Sequence, residues 1–203
     1  VIYGSIAANI LRIPSIVMIT GLGTGFLLDN WVTRVIKFLY RFSLKACSTV
    51  FFQNADDRNL FIENNLIPPS IAKQTPGSGI DLNIYKYYEL EDKEEVIFLL
   101  IARMLWDKGI KEYIEAAEVI KSRYSNARFQ LLGPIGVLNR SAIDKNVIYD
   151  WVESGIIDYY PETDDVISFI KQSTCIVLPS YREGTSKVLL EATDFNYKKF
   201  KNY

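Results

Sequence analysis

Glu183 and Glu191 bracket seven residues in the stretch Pro179-Ser180-Tyr181-Arg182-Glu183-Gly184-Thr185-Ser186-Lys187-Val188-Leu189-Leu190-Glu191-Ala192. The stretch follows the apolar run Cys175-Ile176-Val177-Leu178, which reads as a strand feeding a loop and then a helix. On a helix beginning near Gly184, Glu183 sits at the entrance and Glu191 roughly two turns deeper, on about the same face. The first N–H groups of a helix that follows a parallel strand form an anion site. Carboxylates beside it can accept hydrogen bonds from sugar hydroxyls, so the arrangement suits a nucleotide-sugar. The bland alternative is a solvated surface helix, since glutamates at this spacing are common by chance.

A second candidate lies in Leu100-Ile101-Ala102-Arg103-Met104-Leu105-Trp106-Asp107-Lys108-Gly109, again a strand end entering a helix. Arg103 can fork onto phosphate oxygens, and Lys108 adds a compact positive charge. Both belong at the carboxyl end of a sheet. The competing reading pairs Arg103 with a carboxylate and leaves Lys108 in water.

The elements that must position these residues alternate along the chain. After a helix-like stretch at 6–13, residues 15–20 read as a buried strand ending in Gly21-Leu22-Gly23-Thr24-Gly25. A helix over 29–46 with Asp29 as N-cap, a strand over 48–53, a helix over 54–64 and a strand over 71–75 follow. In the second half, 96–101 is a wholly apolar strand. The helix over 108–124 carries Ile110, Tyr113, Ile114, Ala117 and Ile120 on one side. Beyond it the pattern predicts a strand over 128–132, a helix over 147–153, a strand over 156–159, a helix over 164–172 and a strand over 174–178. Strands alternating with helices imply βαβ units and an α/β fold with parallel sheets. The polar stretch 85–95 separates the halves, giving domains 1–88 and 89–203.

Composition narrows the chemistry. The chain of 203 residues has 23 basic and 24 acidic side chains, a net charge of −1, so no overall basic field points to nucleic acid. It contains no histidine, which excludes Ser-His-Asp and Cys-His catalysis and any histidine-ligated metal. Cys47 and Cys175 sit in apolar settings and read as buried thiols of a cytosolic protein, with a single disulfide left open. The apolar runs are too short to span a bilayer.

In its context, the segment from Pro179 to Ala192 resembles the E-x7-E motif of the retaining group 1 glycosyltransferases (family four). Their GT-B fold has two Rossmann-like, doubly wound parallel-sheet domains. The resemblance covers nearly all of 1–192 and extends to transferases that build bacterial surface polysaccharides such as lipopolysaccharide and capsule, or lipid-linked glycans. It implies that Arg103 and Lys108 hold the diphosphate of a UDP or GDP leaving group. It further implies that Glu183 contacts the donor sugar at the reacting centre and that Glu191 binds the ribose. Backbone N–H groups of Gly184, Thr185 and Ser186 would meet the phosphates. Gly133 matches the glycine of the family's "LLGP" segment, near the nucleotide, and Gly21 and Gly23 match a "GLG" loop facing the cleft. Pro76-Gly77-Ser78-Gly79-Ile80-Asp81 resembles a "GSGVD" turn at the hinge. No metal or other cofactor is implied; the partners are a nucleotide-sugar and a glycan or lipid-linked acceptor. Residues 1–88 would then be the later part of the acceptor domain and 89–203 the first part of the donor domain.

The chain begins at Val1, and past Glu191 the family's "A-x-G-x-P-I-I" pattern gives way to Thr193-Asp194-Phe195-Asn196-Tyr197. It therefore reads as a fragment with both domains incomplete, its own activity left open. A non-catalytic module that binds nucleotide-sugar or a partner stays open beside the transferase reading.

Residues 31–45 raise a separate possibility. Arg34, Lys37, Arg41 and Lys45 fall on one side of a helical wheel, with Trp31, Phe38 and Phe42 beside them, and no acidic residue occurs from Trp31 to Val50. This pattern suits an anionic membrane surface and a peripheral position at the inner face of the cell membrane. A core helix whose basic face meets water is the alternative.

Overall fold

Three segments of the first half become parallel strands, Ser15–Ile19 (β1), Cys47–Phe52 (β2) and Ala72–Gln74 (β3), paired in the order β1-β2-β3. They belong to a computed structural model that describes residues 1–22, 26, 31–77, 79–81, 83–84 and 94–193. Helices Ile2–Ile10 (α1), Trp31–Ser43 (α2) and Ala55–Glu63 (α3) intervene. Asn54 caps α3, its side chain accepting from the Asp57 N–H at 2.7 Å, and so satisfies one of the helix's orphan donors. Val17, Ile19, Val50, Phe52 and Phe61 form the core of this unit. The Phe61 ring packs edge-on to Phe52 and Tyr40, with centroids 5.1 and 5.2 Å away.

Two expectations for this half change. The strand at 15–20 is only half-buried, with Val17 and Ile19 inward but Ile16 and Met18 exposed. Its side chains alternate across the sheet, and no described element covers the second face. The helix predicted over 6–13 lies earlier, at α1. Asp29, expected as an N-cap, lies outside the described residues.

The second half supplies four parallel strands, Val96–Ile101 (β4), Ala127–Leu132 (β5), Asp158–Tyr160 (β6) and Cys175–Ile176 (β7), in the order β6-β5-β4-β7. Helices Ile110–Lys121 (α4), Lys145–Glu153 (α5), Val166–Gln172 (α6) and Lys187–Thr193 (α7) connect or follow them. Ile110, Tyr113, Ile114 and Ala117 of α4 are buried, at the helical spacing the sequence displays. They pack with Leu100, Phe129, Leu131 and Ile148. α4 starts two residues later than predicted. Trp106–Lys108 form a 3₁₀ turn, and Gly109 then adopts φ 71°, a conformation open to glycine at little cost.

Two compact units result. One comprises Val1–Gly79 together with Arg182–Ser186; the other comprises Ile80–Tyr181 and the chain from Lys187 onward. The boundary expected between 88 and 89 falls among residues outside the description.

Inside the second sheet the Tyr113 hydroxyl lies 2.8 Å from the Phe98 carbonyl and 3.1 Å from that of Gln130, and accepts the Gln130 N–H at 3.2 Å. Burial pushes this phenol far above the ordinary tyrosine range, because a phenolate there would lose water without gaining a cation. Tyr113→Phe removes the hydroxyl and leaves strand groups of β4 and β5 unsatisfied. It should lower stability by about 1–3 kcal/mol, measured as a reduced melting temperature with unchanged far-ultraviolet circular dichroism. A melting temperature equal to that of the parent would show that the strands close up without it.

Candidate functional site

The strand order of the second unit fixes where a ligand can be met. β5 lies on one side of β4 and β7 on the other, so the order of connection reverses at β4. In open parallel sheets, ligands bind at the carboxyl edge where such a reversal occurs. The loop leaving β4 there carries Arg103 and Lys108, and the chain leaving β7 carries Pro179, Ser180 and Tyr181.

The β4 loop is held from both sides. Met104 and Leu105 are buried. Met104 donates its N–H to the Pro134 carbonyl at 3.1 Å, and its own carbonyl accepts from the Ile143 N–H at 3.0 Å. The Ser141 hydroxyl donates to the Asp107 carboxylate at 3.2 Å. From the other side, the Asp107 carbonyl accepts from the Tyr181 N–H at 3.1 Å and from the Ser180 hydroxyl at 3.3 Å. Tyr181 also donates its hydroxyl to Glu112, a bond that holds the Glu112 carboxyl below its ordinary range. Between these anchors the Arg103 side chain is exposed and makes no hydrogen bond or ion pair with a described residue. The reading in which it pairs with a carboxylate of the chain thus fails among the described residues. Lys108 is half-buried in the 3₁₀ turn. Gly133 follows β5 directly, and its carbonyl accepts from the Tyr159 hydroxyl at 2.9 Å.

The glutamate motif needs a correction. α7 begins at Lys187, not near Gly184, so Glu183 lies in the preceding loop and the two carboxylates do not share a helix face. The reason is visible in the first unit, which captures the loop. Arg182 donates from Nε at 3.2 Å and from Nη2 at 2.5 Å to Oδ1 of Asp57, a carboxylate buried at 2% exposure. Asn54 Nδ2 reaches Oδ2 of Asp57 and the Glu183 carbonyl, both at 3.3 Å. The Thr185 N–H donates to Gln53 Oε1 and its hydroxyl to the Gln53 carbonyl, both at 3.2 Å. A Cβ on Gly184 would stand 1.9 Å from the Thr20 carbonyl oxygen, a backbone contact that cannot yield, so only glycine fits.

The Thr185 N–H, expected to face phosphate, is therefore engaged by Gln53 in this structure. Ser186 is half-buried immediately before α7. Gly21 follows β1 and is exposed, whereas Gly23 lies outside the described residues. Glu191, on α7, is 5% exposed, and its Oε1 lies 3.3 Å from Nζ of Lys187 one helical turn earlier. Cys47 and Cys175 are both free thiols, which closes the disulfide left open by sequence. Burial raises the Cys175 thiol above its ordinary range.

Sequence reasoning missed Gln53, Asn54 and Asp57 as partners of the motif loop. Their local signal marks only a helix cap, and nothing in a single sequence couples them to residues about 125 positions on.

This geometry has relatives. Residues 85–197 match the family described as glycosyl transferases, group 1, and the chain belongs to that family. It is 32% identical over 212 aligned positions, covering 94% of its length, to the N,N'-diacetylbacillosaminyl-diphospho-undecaprenol alpha-1,3-N-acetylgalactosaminyltransferase of Campylobacter jejuni. It is 29% identical over 53% of its length to the capsular polysaccharide biosynthesis glycosyltransferase CapM of Staphylococcus aureus. It spans 53% of the first of these relatives and 27% of the second. Among solved structures, Anabaena HepE in complex with UDP superposes with a TM-score of 0.70 at 16% identity, covering 94% of this chain and 54% of that one. The fold is thereby GT-B, with Rossmann-like parallel-sheet units.

The capture of the motif loop predicts an asymmetry. Arg182→Met strands the buried Asp57 carboxylate and should cost about 3 kcal/mol, read as a lowered melting temperature. Adding Asp57→Leu to that variant removes the orphaned charge and should restore at least half of the loss. If the double variant melts no higher than Arg182→Met, the ion pair is not what fixes the loop.

Proposed function

We propose that the protein transfers a sugar from a nucleotide-sugar, UDP-linked, to a glycan or lipid-linked acceptor during synthesis of a bacterial cell-surface polysaccharide, with retention at the anomeric carbon. The observation that carries the reading is Arg103, an exposed guanidinium with no partner among the described residues. It stands on an anchored loop where the strand order of a parallel sheet reverses. A diphosphate leaving group develops negative charge as the glycosidic bond breaks, and preorganised cations stabilise that charge without reorganising. Arg103 offers a planar fork for two phosphate oxygens, and Lys108, five positions on, a point charge.

In this proposal Glu191 accepts the ribose hydroxyls, and Glu183 meets the donor sugar. Gly184, Thr185 and Ser186 lie along the phosphates, Gly133 lies near the nucleotide, and Gly21 and Gly23 line the acceptor side. Residues 1–88 form the later part of the acceptor-side domain and 89–203 the first part of the donor-side domain. The relatives support the choice of partners: one acts on a diphospho-undecaprenol-linked sugar, and the solved neighbour holds UDP. A lipid-linked acceptor puts the reaction at the cytoplasmic face of a membrane. No described helix is long and apolar enough to cross one.

Titration calorimetry with UDP, UMP and uridine tests the cationic pair directly. UDP should bind more tightly than UMP, and Arg103→Ala should weaken UDP by about tenfold or more while leaving uridine unchanged. Equal losses for UDP and uridine, or no loss for either, would remove Arg103 from diphosphate binding. For a competent acceptor, nuclear magnetic resonance of the first product reads the anomeric outcome, and an inverted linkage would end the retention part of the proposal.

A further inference from the structure

Helix α2 turns its apolar side the wrong way for a core helix. Thr33 and Ser43 are buried, while Trp31, Phe38 and Phe42 are 74%, 68% and 53% exposed, with Val35 also exposed. At about 100° per residue, Trp31, Val35, Phe38 and Phe42 fall in one stripe of roughly 60°, opposite Tyr40 and the two buried polar residues. Arg34 and Arg41 flank that stripe and are exposed, as is Lys45 just beyond the helix. Lys37 is half-buried and donates to Asn64 Oδ1 at 2.8 Å. The segment from Trp31 to Val50 contains no acidic residue.

We propose that this face of α2 docks onto an anionic lipid surface. Exposed aromatic rings beside exposed cations, with no acid among them, match an interface of apolar chains under negative headgroups. A second copy of the chain fits poorly, because two such faces would oppose cations to cations. Among the described residues the side of α2 turned inward carries Thr33, Tyr40 and Ser43, not the aromatic stripe. The proposal rests on the first unit alone and holds whether or not the donor-site reading does.

Vesicle co-sedimentation of the whole chain tests it, comparing phosphatidylcholine vesicles with vesicles containing about 30 mol% phosphatidylglycerol. The protein should sediment with the anionic vesicles and about tenfold less with the neutral ones. Two triple variants, Arg34→Gln with Arg41→Gln and Lys45→Gln, and Trp31→Ser with Phe38→Ser and Phe42→Ser, should each lose about tenfold or more of that binding. A charge-matched control, Lys73→Gln with Lys111→Gln and Arg123→Gln, should retain it. All these positions are exposed, so circular dichroism should be unchanged throughout. Equal binding to both vesicles, no binding to either, or a control that falls as far as the basic triple would overturn the proposal. So would sedimentation velocity showing that the aromatic triple abolishes self-association of the parent. UDP titrations on the same variants keep the questions apart: lipid binding can fail while UDP binding stands, and the reverse.

Discussion

The reversal of strand order at β4 is the constraint on which the candidate site depends. A parallel strand paired on both sides must send its chain out at one edge, and the successors placed to either side do the same. The loops after β4 and β7 therefore leave from the same end of the sheet. Backbone bonds then lock them, with the Asp107 carbonyl receiving two donors from Ser180 and Tyr181. The backbone at Arg103 is held through its neighbours Met104 and Leu105, which are buried. A charged side chain held by its backbone rather than by its charge remains available to a ligand.

Much of the frame was legible because burial and periodicity agree. The run Val96 to Ile101 is apolar at every position, as a strand covered on both faces requires, and the Ile110, Tyr113, Ile114 and Ala117 spacing marked α4. What escaped was set by partners distant in sequence. Glu183 carries no local sign that its loop is captured by Gln53, Asn54 and Asp57, and without that capture a helix from Gly184 is the natural reading. The wheel of α2 showed its basic and aromatic stripes, but not that Thr33 and Ser43 would be the buried side. Amphipathicity fixes two faces, and only the tertiary fold chooses which of them turns inward.

The Arg182–Asp57 pair explains why so much polar chemistry surrounds one short loop. A buried carboxylate is costly unless it is both paired and hydrogen-bonded. Asp57 has the Arg182 fork on Oδ1 and Asn54 Nδ2 on Oδ2. Asn54 also caps α3, so the helix start, the buried charge and the Glu183 carbonyl share one residue. Such a network favours a single loop geometry over its alternatives more than it adds to stability, because the ion pair's attraction is largely offset by its desolvation.

Glu191 is held differently, and the difference bears on what it can do. Its partner Lys187 lies one turn earlier on the same helix with a side chain 68% exposed. An ion pair with so exposed a lysine contributes little, since water and salt screen it, and the lysine can swing into solvent at small cost. Asp57 instead takes two Arg182 donors on one oxygen, from a side chain only 22% exposed. The two carboxylates are both nearly inaccessible in area, but the cation paired with Glu191 is largely exposed and the one paired with Asp57 is not. Burial alone therefore does not describe how a carboxylate is held; the exposure of its counterion sets how strongly solvent screens the pair.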